Sequence, residues 1–283
     1  MYRITIGVDS GGAASTAVDW VIGWHRAQRA QITLLTAFDY LVDEVDVDVA
    51  ILDREAARIR EALPDARVQT AMADGNVPGV LERSSHEADL LVVGSHRTRH
   101  ARSVLTGRLP LRVAEHAACP VVIVPDDWQP RFGSIAVGLG DDESSDAAVE
   151  FAAAQATVLG VELRILHAWS PPASSVELSS LVIDPVELRA AHGDRLAEIA
   201  GRLRDRGVAV RESLHDGAAG FGLVALAADA ALVVVGTHRT GAIGELLVGS
   251  TAASLIRESR TPVCVVPVGW AEPAVEPPAT ERR

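Results

Sequence analysis

Leu90-Leu91-Val92-Val93-Gly94-Ser95-His96-Arg97-Thr98 returns 142 positions later as Leu232-Val233-Val234-Val235-Gly236-Thr237-His238-Arg239-Thr240. A short run of Leu and Val closed by glycine and polar residues reads as a fully buried strand that ends in a loop. Other landmarks keep the same offset. Asp74-Gly75 meets Asp216-Gly217, Gly107 meets Gly249, and Pro120-Val121-Val122-Ile123-Val124-Pro125 meets Pro262-Val263-Cys264-Val265-Val266-Pro267. Nearer the start of each half the offset is 131, as in Leu34-Leu35-Thr36-Ala37-Phe38 against Ile165-Leu166-His167-Ala168-Trp169. The chain is therefore a tandem duplication, and its second half carries 11 extra residues between the second and third strands. The loop-like stretch Ser170–Ser175 is expected to hold them.

Within the first half, apolar runs fall at Ile4–Val8, Ile32–Phe38, Leu90–Val93 and Val121–Val124, with a fainter one at Arg67–Ala71. Helical patterns separate them at Ser15–Ala30, Val49–Ala62, Val77–His86 and Pro110–Ala117, with Pro110 suited to a first helical turn. Strand alternating with helix predicts an α/β fold, a doubly wound five-stranded parallel sheet in each half. The expected domains are residues 1–127 and 133–270, followed by a Pro- and Glu-rich tail, 271–283, expected to be disordered. The last strand of each half is expected at a sheet edge, where edges invite pairing.

Composition narrows the function. Of 283 residues 48% are hydrophobic and only 4% aromatic, so the core is aliphatic, as buried parallel strands require. A formal net charge of −12 argues against nucleic acid as the main partner. No apolar run reaches the length of a membrane span, and no secretory leader pattern is read at the start. Two cysteines, Cys119 and Cys264, make no disulfide framework and read as buried thiols. Together these predict a cytoplasmic protein with no membrane partner.

Ligands of doubly wound sheets bind beyond the carboxyl ends of the strands, where strand order reverses. After the fourth strand of the second half, Gly249-Ser250-Thr251 opens a helix reaching about Ser259. Glycine admits close approach, a helix start offers free N–H groups, and two hydroxyls stand beside them, which describes a phosphate cradle. A plain glycine turn with a serine N-cap explains the same residues.

With its order, spacing and duplication, the chain resembles the universal stress protein family in both halves. That family carries Gly, two residues, Gly, nine residues, Gly and Ser or Thr after strand four, and an Asp closing strand one. The resemblance implies an adenine-nucleotide-binding fold. ATP phosphates would lie on the glycine signature, the strand-one Asp near adenine or ribose, and the end of strand two against the base. The residues placed so are Gly7, Asp9, Ala37, Gly94, Arg97 and Gly107 in the first half. In the second they are Gly138, Ala168, Gly236, Arg239, Gly249, Ser250 and Thr251. The middle glycine is Arg97 in one copy and Arg239 in the other. Arg108 takes the first copy's Ser position, and Gly140, followed by Asp141-Asp142, stands where the second copy's Asp belongs. Arginine at a glycine position either obstructs the cradle or itself pairs with phosphate through a permanently charged fork. Arg99, Arg102 and Arg112 add to the first copy's cluster, either an anion site or a solvated face.

Rival readings fail on spacing. Gly138-Leu139-Gly140 begins a dinucleotide fingerprint, yet Glu143 stands where the third glycine belongs, and no Gly-Lys-Ser/Thr triplet occurs. His96 and His100 lie among arginines in an expected loop, as does His238, and His167 reads as packing. The acidic run Asp43–Asp48 reads as solvated. No catalytic trio is indicated. The resemblance implies a stress-response protein that binds ATP, with or without magnesium, and signals by its bound state, at most a slow ATPase. The alternative is an interaction scaffold in which Arg97 and Arg239 have closed the phosphate sites. By the same resemblance the domains would pair within the chain, with a further homodimer conceivable.

Overall fold

Each apolar run becomes a parallel strand. The structure, a computed structural model, describes residues 1–9, 13–26, 29–38, 49–95, 109–140, 143–169, 185–240, 245–247 and 249–272. Expectations for Arg97, Arg99, Arg102, Gly107, Arg108, His96, His100, Asp43–Asp48, Asp141-Asp142, Ser170–Ser175 and most of the tail lie outside them. The chain divides into two compact units, Met1–Pro130 with the residues from Trp270 onward, and Arg131–Gly269.

The first unit runs β1 (Tyr2–Gly7), α1 (Ala13–Trp24), β2 (Ala30–Phe38), α2 (Val49–Ala62), β3 (Arg67–Asp74), α3 (Val77–Ser85), β4 (Leu90–Gly94), α4 (Leu109–His116) and β5 (Val121–Val124). Its strands are ordered β3-β2-β1-β4-β5, all parallel. Helices α1 and α2 pack together, as do α3 and α4, giving a two-helix layer on each face. Right-handed crossovers put the helices of one chain direction on one face, and the return from β3 to β4 moves the next pair to the other.

Local chemistry sets the ends. Asn76 caps α3 by accepting the Gly79 N–H at 3.0 Å, with Pro78 in the first turn. Gly75 turns at φ +128°, and Gly217 repeats that angle in the second unit, so each Asp-Gly pair needs its glycine. Helix α1 stops at Trp24, short of the expected Ala30. Ala30 is buried instead as the first residue of β2, and His25, also buried, stacks on Tyr2 at 5.7 Å. Strand β3 runs past Ala71 to Asp74, pairing with β2 as far as Phe38. As an outer strand it is mostly exposed, which made its apolar signal faint.

The second unit repeats this as β6 (Ser134–Leu139), α5 (Glu143–Leu159), β7 (Leu163–Trp169), α6 (Pro185–Asp205), β8 (Val210–Asp216), α7 (Ala219–Ala227) and β9 (Ala230–Gly236). Two short strands follow, β10 (His238–Thr240) and β11 (Glu245–Leu247), then α8 (Ser250–Glu258) and β12 (Val263–Val266). Its parallel order is β8-β7-β6-β9-β12. The loop expected to hold the extra residues lies outside the described residues; as described, α6 has 21 residues and α2 has 14.

One buried carboxylate ties α1 to α2. Glu55, 1% exposed, accepts from Ser15 at 3.0 Å, Arg54 at 3.0 Å and Arg58 at 2.5 Å, and Arg58 also pairs with Asp19. Burial alone would push Glu55 up. The hydrogen bonds from Arg54, Arg58 and Ser15 together outweigh it and hold the carboxyl below the usual glutamate range. Both cysteines are buried free thiols, and burial pushes Cys119 up to about 12.

A depressed acid stabilises the fold above its unfolded pKa, and that contribution is lost as pH falls through the folded value. Glu55→Gln should therefore cost about 2 kcal/mol at pH 7, below the usual cost of breaking a buried pair because its arginines are partly solvated. The deficit relative to wild type should shrink as pH falls below about 4 and vanish only below the folded value, where the wild-type side chain is uncharged as well. Urea denaturation at pH 7 and pH 3 measures both.

Candidate functional site

In each unit strand order reverses beside the first strand. In the first unit β1 lies between β2 and β4, and in the second β6 lies between β7 and β9. The carboxyl ends meeting there are the places to look for a ligand.

In the first unit Asp9 follows β1, half-buried, one residue beyond Val8, whose N–H donates to Leu35 at 2.8 Å. Gly94 closes β4 and is buried. The next residue, Ser95, donates its N–H to Val124 at 2.8 Å and its hydroxyl to Asp126 at 3.2 Å. Ala37 sits one residue before the end of β2, opposite Ala73. The structure thus brings Asp9 and Gly94 to one end of neighbouring strands, while Arg97 and Gly107 lie outside the described residues.

In the second unit Gly236 closes β9. The Thr237 N–H donates to Val266 at 3.0 Å, and the Thr237 hydroxyl accepts from Val268 at 3.1 Å. Ser95 makes the matching backbone bond to Val124, whereas its hydroxyl donates to the Asp126 carboxylate instead of accepting, so the residue after the fourth strand is in both units a buried clamp onto the segment after the fifth. Gly249 is the N-cap of α8, not Ser250, and supplies no side-chain cap. The first N–H of α8 with a helical partner is that of Ala253, donated to Gly249 at 2.9 Å. Those of Ser250, Thr251 and Ala252 precede it and form the donor set that suits an anion. Arg239 is not in a loop. It lies in β10, paired with Leu246 of β11 in an antiparallel ribbon, and His238 is paired there with Leu247. A strand needs no positive φ, so arginine sits at this position without backbone strain.

Gly7 and Gly138 have a packing reason for being glycine. A Cβ on Gly7 would stand 3.2 Å from Leu81 of α3 and from Val93, and one on Gly138 would stand 2.8 Å from Leu223 of α7. Each lets a helix close onto the first strand of its sheet. Ala168 sits opposite His215 of β8.

Beside the reversal in the second unit lies a ring cluster that sequence reading missed. His167 is fully buried; its Nδ1–H donates to the Leu139 carbonyl at 2.9 Å, and its Nε2 lies 2.8 Å from Nδ1 of His192 in α6. Because a carbonyl only accepts, the His167 proton is on Nδ1, and Nε2 accepts from His192. His192 stacks on Trp169 at 5.8 Å and 27°. Trp169 donates to Asp216 at 2.5 Å, and Arg189 of α6 donates to the same carboxylate at 3.0 Å. Arg189, and after it Trp169, hold Asp216 below the usual aspartate range. His167 thus packs, as expected, but through a specific bond to a partner 25 residues away that no local spacing reveals. Among the described residues no group of three or more His, Cys, Asp or Glu is placed to hold a metal, and no helix is long and apolar enough to cross a membrane.

Gly138→Val should lower the unfolding free energy by about 2 kcal/mol through overpacking against Leu223. Comparing urea midpoints with wild type checks it, and a change under 0.5 kcal/mol would mean that α7 moves aside freely.

The model of the universal stress protein family matches residues 1–125 and again 131–267. A universal stress protein of Mycolicibacterium smegmatis is 27% identical over 94% of this chain and 97% of its own length. One from Mycobacterium tuberculosis is 33% identical over 67% of this chain and 65% of its own. Among solved structures, a universal stress protein from Archaeoglobus fulgidus superposes with a TM-score of 0.67 at 19% identity, covering 94% of this chain and 96% of that one. Two family domains in tandem along the chain, each with five parallel strands in doubly wound order, account for the duplication, and the chain belongs to the universal stress protein family.

Proposed function

We propose that this universal stress protein binds an adenine nucleotide, ATP, and acts through its bound state rather than by turnover. The observation that carries the reading is Asp9, the carboxylate that follows β1 where strand order reverses, with Gly94 closing the neighbouring β4. A carboxylate there suits ribose hydroxyls or a base amine, which it binds as acceptor. The glycine-capped start of α8 presents backbone N–H groups of the kind that hold phosphate, the anion-side half of such a site. Ligand that binds only the folded form stabilises it by mass action, which gives a binding protein a readable state without catalysis. Magnesium would be carried in by the phosphates. The expected location is the cytoplasm. Pairing of the two domains within one chain belongs to the same proposal, and light scattering separates a 29.9 kDa monomer from a homodimer.

One observation favours the scaffold reading. The β10–β11 ribbon pairs Arg239 with Leu246. If that ribbon closes the cradle, Arg239→Gly gains ATP affinity.

Calorimetry with ATP, together with nucleotide analysis of protein denatured after gentle purification, tests the proposal. Binding is expected, weakened about tenfold by Asp9→Ala, the worth of one good hydrogen bond to a charged group. No nucleotide and no heat at millimolar ATP would overturn it.

A further inference from the structure

Among the described residues the two units differ at the carboxyl end of the second strand. In the second unit Leu139, His167, His192, Trp169, Asp216 and Arg189 form one connected chain of contacts across the ends of β6, β7 and β8. The first unit has Thr36 where the second has His167, and Phe38 where it has Trp169. At the place of His192 it has Ala50, an exposed residue with no side chain to reach the sheet. We propose that the second unit fills the base side of its own crevice with the His192–Trp169 stack, so that the chain takes up one adenine nucleotide, in the first unit. This rests on the nucleotide reading above.

Geometry and chemistry support the closure. A base entering beside the end of β7 would need an aromatic or apolar surface to lie on, and Trp169 is already engaged there in an offset stack with an imidazole. The stack is fastened at both ends. On one side His167 is held to a strand carbonyl and bonded to His192, so withdrawing His192 removes a hydrogen-bond partner from a fully buried ring. On the other, Asp216 fixes the Trp169 indole and is itself gripped by Arg189. Arg189 and His192 are three apart on α6 and therefore neighbours on one helix face. Arg189 lies in the first turns of α6, so this helix supplies both the stacking ring and the arginine that fastens it. In the first unit Asp9 remains, with no such stack among the described residues.

The experiment counts nucleotide. Equilibrium dialysis of the full chain with radiolabelled ATP should give one per chain, and photolabelling with 8-azido-ATP should mark peptides of residues 1–130 only. Asp9→Ala should weaken ATP binding about tenfold and reduce the labelling of residues 1–130 at sub-saturating nucleotide. His192→Ala, or Trp169→Ala should the first variant fold poorly, should add a second bound nucleotide and new labelled peptides in residues 131–269. Two nucleotides on the wild type, labelling of the second unit in the wild type, or a stoichiometry still at one in well-folded His192→Ala would each overturn the closure. Absence of binding in every variant would instead overturn the nucleotide reading itself.

Discussion

The architecture follows from a sheet that must be dry on both faces. Strands such as Leu90–Gly94 and Val121–Val124 are buried at every residue, so neither face can meet water and helices must lie on both. Parallel pairing forces each connection to cross the sheet, and right-handed crossing makes the direction of winding reverse once. That reversal leaves the ends of β1 and β4, and of β6 and β9, free of a covering helix. Small residues then set how closely the helices settle. Gly7 under Leu81 and Gly138 under Leu223 bring the third helix of each unit down onto the first strand. The candidate sites are thus a by-product of the need for a dry sheet.

Duplication has kept the features that serve the sheet and relaxed those that serve a ligand. The two Asp-Gly turns share φ +128°, and Ser95 and Thr237 make the same backbone bond to the last residue of the fifth strand. Around the crevice the copies diverge. The first keeps Asp9, while the second has Gly140 there and builds a ring cluster beside it. The acidic Glu55 network has a different logic, since it holds two helices together through charge that burial alone would disfavour.

Much of this was legible in the sequence because strands without exposed faces are written as unbroken apolar runs. Val121–Val124 and Val49–Ala62 are read to the residue, and Leu90–Gly94 to within one. Strand β3 was faint because an outer strand is written in alternation and polar residues. Helix α1 was read too long because Ala30 suits either element, and only the sheet register assigns it. At the site, Asp9 and Gly249 stand out by position. The partnership of His167 and His192 does not, since it crosses from strand to helix and depends on a carbonyl that any residue at 139 would offer. The ribbon holding Arg239 escaped notice because three-residue strands carry too few side chains to show a period.

The longer α6 has a consequence for how such a chain can change. As described, α6 has seven residues more than α2, 21 against 14, which is roughly 10 Å or about two turns of helix. They lie in a crossover, where growth disturbs no strand register and no core layer. A twin domain shields the alteration further, because one copy can keep an inherited task while the other is rebuilt. Crossover helices of duplicated doubly wound domains are in this sense the inexpensive drafting surface of the fold, where a spare copy acquires a private arrangement without risking collapse of either sheet.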